Sequence, residues 1–344
     1  MRIAAIEDRL AGKGAKLTHR ARLLRHWLQD LPDTHGPVRL AHFLPRAVRE
    51  EWPAVQAELA ALAAVSSAHA DTAGASRLLV ALADGHAVET VLLPRDGVCV
   101  STQVGCAVGC GFCMTGRDGL LRQLGSAEIV AQVVLARQRQ RVKKVVFMGM
   151  GEPAHNLDNV CEAIEALGTH GAIGHKNLVL STVGDERVFA RLPTMSVRPA
   201  LALSLHTTRA ALRATLLPRA PRIDPQELVE RCTAWAEETG YPIQYQWTLL
   251  AGVNDGDDEI ETLAALLRGR YAVMNLIPFN EVEGSGYRRP SPARVEAFAL
   301  ALYRAGVLTK IRDSAGQAID GGCGQLRSRL APLRPVRRAL QSSA

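Results

Sequence analysis

Three cysteines packed into eight residues constrain this chain more than any other feature of its sequence. The stretch Cys106-Ala-Val-Gly-Cys110-Gly-Phe-Cys113 spaces them with three residues and then two between. A strand-like run, Val98-Cys-Val-Ser-Thr-Gln-Val104, leads into it. Gly105, Gly109 and Gly111 let the backbone fold tightly enough to aim three thiolates at one point. Thiolates converging from one loop suit zinc or an iron–sulfur cluster. A structural zinc wants a fourth ligand nearby, and no cysteine or histidine follows before His155. A four-iron cluster held by three thiolates instead keeps one iron open for a small molecule. The spacing marks a metal centre without naming the metal.

The rest of the composition narrows the setting. A chain of 344 residues, 47% hydrophobic and 22% charged, can bury one barrel-sized core with a smaller appendage. No stretch reaches the roughly 18 uninterrupted apolar residues of a membrane helix, and Glu7 and Asp8 fall where a signal peptide would be apolar. These features predict a cytoplasmic protein with no membrane segment, where grouped cysteines serve metal or redox chemistry. The net charge of +7 predicts a polyanionic partner. Lys13, Lys16, Arg20, Arg22 and Arg25 crowd the first helix, and Arg327, Arg329, Arg334, Arg337 and Arg338 fill the tail, so nucleic acid is the expected partner. Aromatic residues make up only 4%, which argues against a stacking platform for single strands.

Four regions follow from the patterning. Residues 1–70 read as a small helical, RNA-binding domain, with Thr18 as a cap and Pro32, Pro37 and Pro45 as breaks. Residues 71–96 read as a β-hairpin extension, Arg77–Leu82 and Ala87–Leu93 joined through Asp84-Gly85. From 97 to 326 strands alternate with helices, which implies parallel strands with crossovers. The strands are expected at 97–104, 144–149, 177–182, 199–205, 243–249, 272–277 and 307–312. Helices are expected at 126–140, 157–168, 185–192, 224–239, 257–268 and 291–305, with Ser126, Asp224 and Ser291 as N-caps. The fold class is α/β, a partial (β/α)6-type barrel. Residues 327–344 form a basic tail.

A barrel of this kind places its site where strands end, and the strand ends here are unusual. The first runs into the cysteine loop. The second ends in Gly149-Met-Gly-Glu-Pro153, the third in Ser181-Thr-Val-Gly184, the fourth in Ser204-Leu-His206 and the sixth in Pro278-Phe-Asn280. Each alone could be a turn, a helix cap or a core histidine; together, beside three cysteines, they point to a site. Gly149 and Gly151 before Glu152 would let a backbone edge and a carboxylate grip an amino group. Ser181, Ser204 and Asn280 can hydrogen-bond a ribose or a carboxylate. Such a set fits an amino-acid-bearing nucleoside that chelates an open iron, the chemistry of S-adenosylmethionine (SAM).

On these residues the chain resembles a known family. The Cys106/Cys110/Cys113 loop resembles the radical SAM superfamily. The fuller set is similar to the RlmN/Cfr RNA methyltransferases: Val98-Cys-Val-Ser-Thr-Gln-Val-Gly-Cys106, Phe147-Met-Gly-Met-Gly-Glu-Pro153, Ser204-Leu-His206, Val253-Asn-Asp-Gly256, Asn275-Leu-Ile-Pro-Phe-Asn280 and Cys323-Gly-Gln-Leu326. The likeness runs from about residue 77 to 326. It implies a [4Fe–4S] cluster on Cys106, Cys110 and Cys113. It also implies SAM, two per turnover, bound at Gly151, Glu152, Ser181, Ser204, Leu205, His206 and Asn280.

The same resemblance gives roles to residues that patterning leaves plain. Cys323 matches the cysteine that carries the methyl group as S-methylcysteine, and Cys99 the one that later forms a transient disulfide with it. Glu89 matches the proton acceptor; alternation puts it on the side of Val91 and Leu93, and a strand glutamate alone reads as facing water. The implied activity is methylation of an adenosine ring carbon, C2 with C8 as the alternative. The implied substrate is ribosomal RNA, with transfer RNA as a second candidate and flavodoxin or ferredoxin as electron donor. A radical SAM enzyme acting on a non-RNA substrate is the alternative reading. Such ring carbons are electrophilic, so a cationic donor cannot methylate them directly; a methyl held on sulfur can lose a hydrogen atom first. Cys161 and Cys232, inside helices, read as core thiols.

Overall fold

Alternation along the strands decides which way this sheet faces. The computed structural model describes residues 1–36, 38–312 and 316–327. Its strands are β1 (Ala63–Ala70), β2 (Ser76–Leu82), β3 (Ala87–Leu93), β4 (Gly97–Cys99), β5 (Gln103–Gly105) and β6 (Leu120–Gln123). They continue as β7 (Lys144–Phe147), β8 (Leu178–Thr182), β9 (Ala200–Ser204), β10 (Ile243–Leu249), β11 (Ala272–Pro278) and β12 (Thr309–Ile311). Ten of them form one sheet, ordered β1-β2-β3-β4-β7-β8-β9-β10-β11-β12. The first three pairings are antiparallel, and every pairing from β4 to β12 is parallel.

Register sorts the side chains by face. Phe147, Leu180, Leu201, Leu203, Tyr245, Trp247, Met274 and Leu276 share one face and are buried. The crossover helices cover it: α5 (Ser126–Arg137), α6 (Leu157–Thr169), α7 (Glu186–Arg191), α8 (Ala210–Leu216), α9 (Pro225–Thr239), α10 (Asp257–Leu267) and α11 (Pro292–Arg304), numbered after the four N-terminal helices. Each large side chain buried there stabilises the fold by about 1.5–3 kcal/mol. The opposite, inner face carries Glu89, Cys99, Ser181, Ser204, Gln246 and Asn275. A parallel sheet with one apolar face under helices and one polar face is a barrel wall around a site. This is the expected partial-barrel class.

Of the N-terminal helices α1 (Ile3–Gly12), α2 (Leu17–Leu28), α3 (Leu40–Phe43) and α4 (Arg46–Ala61), α1 packs against α6, and α2 and α4 against α5. Ser126 explains one anchor: its hydroxyl accepts the Ile3 N–H at 2.8 Å. It is therefore not the helix cap; Gly125 holds that position. Thr18 is displaced likewise, by Lys16, whereas Asp224 and Ser291 do cap, accepting from Gln226 and Arg294 N–H. Helix does not continue to residue 70. Ala63–Ala70 is the edge strand β1, held by its pairing with β2 rather than by its own alanine- and serine-rich sequence.

The run 97–104 is not one strand either. It breaks at Val100–Thr102, where the chain pairs with the Gly149–Met150 turn, and β5 then leaves the main sheet to pair with β6. The hairpin turn at Asp84-Gly85 stands as expected, with Gly85 at φ 88°. The short helix α8 has no counterpart among the sequence expectations. Among the described residues no helix is long and apolar enough to cross a membrane. The basic tail lies outside the described residues beyond Arg327.

Candidate active site

Gly105 opens the cysteine loop at φ +80°, where a Cβ would meet the Gly119 carbonyl at 2.1 Å, so only glycine fits. That approach lets Cys106 N–H donate to the Gly119 carbonyl at 2.9 Å, and Cys113 N–H closes a turn on the Cys110 carbonyl at 3.1 Å. Val108, Phe112, Leu216, Leu217, Leu250 and Phe279 wall the loop with apolar surface. Burial pushes the Cys106 thiol up to about 12. Cys110 stands well above the ordinary thiol range, through burial first and then its neighbours Cys113 and Cys106. The three sulfurs therefore lie within electrostatic reach of one another. Among the described residues no three His, Cys, Asp or Glu donors gather as tightly as one metal ion needs. Three soft thiols in apolar walls instead fit a group with bulk of its own, an iron–sulfur cube.

The strand ends face this loop. Glu152 is 5% exposed, and its oxygens accept from the N–H groups of Ala154 and Val183, each at 3.1 Å. Burial lifts its carboxyl to about 7. Two backbone donors leave lone pairs on the carboxylate for an ammonium group. Gly151, at φ +106°, brings the backbone against Gln103, whose amide oxygen accepts the Glu152 N–H at 2.7 Å. Ser181 and Ser204 are half-buried on the inner face. Leu205 is buried, its N–H donating to the Gln246 carbonyl at 3.1 Å. Asn280 is buried, and its Nδ2 donates to the Cys323 carbonyl at 3.0 Å.

His206 is a strut of this assembly. Its φ of +62° puts a non-glycine residue in the left-handed region. The Asn254 amide holds it there by donating to its carbonyl at 2.7 Å, while its Nδ1 accepts the Thr248 N–H at 2.9 Å. The ring packs edge-on against Phe112 of the cysteine loop, centroids 4.8 Å apart. Burial, with Arg213 nearby, pulls the imidazole down to about 3, so it is neutral.

Arg213 is a site residue that nothing in the sequence singles out, and Asn254, though inside the Val253–Gly256 motif, is given no role there. The Arg213 guanidinium is buried, donating to the carbonyls of Val183 and, at 3.2 Å, Ser204. Burial pulls it down to about 10, against the opposing pull of Cys110 and Glu152. Nothing in the spacing of a short helix signals that a cation would point at a cysteine loop.

A second group forms beside the first. Cys99 pairs with Val91 across β3 and β4, and Glu89 lies two residues from Val91, so both side chains share the inner face. Glu89 is fully buried, not facing water. It pairs with Arg77 and accepts the Arg327 N–H at 2.8 Å. Burial first, then the nearby Cys323, pushes the Cys99 thiol up to about 12. The Cys323 segment also docks on the cysteine loop: Met114 N–H donates to the Gly324 carbonyl at 2.7 Å, and the Thr115 hydroxyl to the Leu326 carbonyl at 2.6 Å. Cys161 and Cys232 are buried in helices away from this group, as core thiols.

A curled parallel sheet with a three-cysteine loop after its first parallel strand defines a class. The Radical SAM superfamily model matches residues 100–267. The chain is 65% identical to a "Probable RNA methyltransferase" of Leptothrix cholodnii, over 98% of this chain and 99% of that one. It is 62% identical to another of that name from Thiobacillus denitrificans, over 100% of this chain and 95% of that one. A solved radical SAM methyltransferase from Sphaerobacter thermophilus superposes with a TM-score of 0.81 at 34% identity, covering 95% and 98% of the two chains. The chain belongs to this family of radical SAM RNA methyltransferases. The family implies a [4Fe–4S] cluster and SAM, which the donor set described above fits.

Proposed function

We propose that this protein methylates a ring carbon of adenosine, C2, in ribosomal RNA, as an RlmN/Cfr-type enzyme of the reducing cytoplasm. Its relatives' names supply the RNA, and one observation carries the chemistry. Cys99 lies within electrostatic reach of Cys323, at the mouth where the Cys323 segment leans on the cysteine loop. Cys106, Cys110 and Cys113 would hold the cluster, with Glu152, Ser181, Ser204 and Asn280 around SAM. Together these groups, when bound and reduced, supply methyl donation and hydrogen-atom abstraction.

The chain's own residues do the rest. Cys323 accepts a methyl group from one SAM and presents it to the base, so each product consumes two SAM. Glu89, buried between Arg77 and the Arg327 N–H, takes the proton from the methylated ring carbon. Cys99 then attacks the Cys323 sulfur, breaking its bond to the new carbon on the base, which takes the Cys99 proton and leaves as methyl. The resulting disulfide needs a two-electron thiol reductant from outside, whereas flavodoxin or ferredoxin would be the electron donor to the cluster. A buried, protonated Cys99 is unreactive until the departing base takes its proton. The test is mass analysis of adenosines in RNA from cells with and without the gene. A missing 2-methyladenosine in ribosomal RNA supports the reading; a missing 8-methyladenosine moves it to C8, and unchanged RNA rules it out.

A further inference from the structure

Below the strand ends, the inner face holds polar groups that the reaction does not use. Register puts Lys144 of β7 on this face, and Lys310 and Arg312 at β12, with Gln246 and Asn275 between. Four strands separate β7 from β12 in the sheet. Burial first, and then the charges of Arg312 and Lys310, hold Lys144 below the ordinary lysine range, so the curl of the wall brings it within electrostatic reach of both, which are themselves exposed at the sheet edge. None of the three cations forms an ion pair among the described residues, whereas the adjacent Lys143 pairs with Asp96 at 2.9 Å. Among the described residues, the only carboxylate on this face of the strands is Glu89, already matched by Arg77.

Asn275 is an independent sign. It is 2% exposed, stands in register with Gln246 and Lys310, and its Nδ2 has no acceptor among the described residues. Buried donors without partners are costly and rare. Two ammoniums, a guanidinium and the orphaned Nδ2 of Asn275 all donate. The matching ligand is an oxyanion, and a phosphate suits the guanidinium fork and the lysines together. Lys144 pairs with Gly97, so it stands two residues, roughly 7 Å, along the strand from the level of Cys99.

We propose that Lys144, Asn275, Lys310 and Arg312 form a seat for an RNA phosphodiester flanking the nucleotide that reaches Cys99 and Cys323. The seat rests on the RNA reading above. Its test is the affinity of a fluorescent RNA hairpin for the reconstituted protein across a salt series, with wild type, the Lys310→Gln/Arg312→Gln pair, and Lys144→Gln. Iron content serves as the check on folding. The double variant should bind about tenfold more weakly at roughly 0.1 M salt, and its salt slope should fall by roughly 0.7–0.9 for each phosphate that is no longer neutralised. Lys144→Gln should move both in the same direction by less. Equal affinity and slope in all three proteins overturn the seat while the RNA reading stands. A wild type that ignores the hairpin altogether overturns both. Inorganic phosphate that raises the melting temperature of wild type alone, with hairpin binding equal in all proteins, assigns the pocket to a small anion and overturns the RNA seat.

Discussion

The cysteine loop and the Glu89–Cys99–Cys323 group both place thiols at the same mouth, yet the chain builds them in opposite ways. The loop is local: three sulfurs within eight residues, shaped by glycines that the backbone geometry requires. The second group is assembled by the fold, from β3, β4 and a segment beyond β12; 238 residues separate Glu89 from the Arg327 amide that it binds. A local site survives as a spacing that can be read in any sequence. An assembled site exists only once the sheet has formed, and its members look ordinary until then.

If that contrast is real, the two groups must fail differently. Cys110→Ala should abolish both cluster and product, measured as iron content after anaerobic reconstitution and as methylated adenosine. Cys323→Ala should abolish product just as fully while iron content stays at the wild-type level. Next comes Cys99→Ala, which should slow product release about 100-fold and trap protein covalently on RNA, seen as a shifted band on a denaturing gel. Free product at the normal rate would remove Cys99 from the reaction.

Smaller effects separate the two groups further. Asn254 is fully buried and bonds the His206 carbonyl, the Thr248 carbonyl and the Leu250 N–H. Asn254→Ala should cost about 2–3 kcal/mol in denaturant unfolding. It should lower iron content by freeing His206 and Phe112, and leave oxidative Cys99–Cys323 disulfide formation unchanged. The smallest effect concerns pH. Unfolded, His206 takes a proton at 6.5; folded, only at about 3. The unfolded chain thus holds more protons between those values, so stability falls as pH drops through that window. The loss is about 2 kcal/mol at pH 5, and His206→Gln should show a correspondingly smaller drop in melting temperature from pH 7 to pH 5.

Much of the barrel was legible for the same reason as the loop. Seven runs of strand character between helical ones fall on β4 and β7–β12, and Asp224 and Ser291 announce their helices. What escaped depended on partners far away in the chain. Ala63–Ala70 is a strand only because β2 runs beside it. Ser126 spends its hydroxyl on Ile3 rather than on its own helix. Glu89 is read as water-facing because it is a strand glutamate, since nothing local tells that a segment near residue 327 covers it. Arg213 carries no motif of its own and is defined by what its helix packs against; Asn275 stands in a motif, but the acceptor that it lacks shows only in the fold.

The central claim is that the methyl group passes through the Cys323 sulfur. The direct measurement uses SAM with an isotopically labelled methyl group and anaerobically reconstituted protein, with peptide mapping before and after RNA is added. Label is expected on the Cys323 peptide first, then its loss from that peptide and appearance on an adenosine ring carbon. Labelled adenosine formed at the normal rate by the Cys323→Ala protein would contradict it.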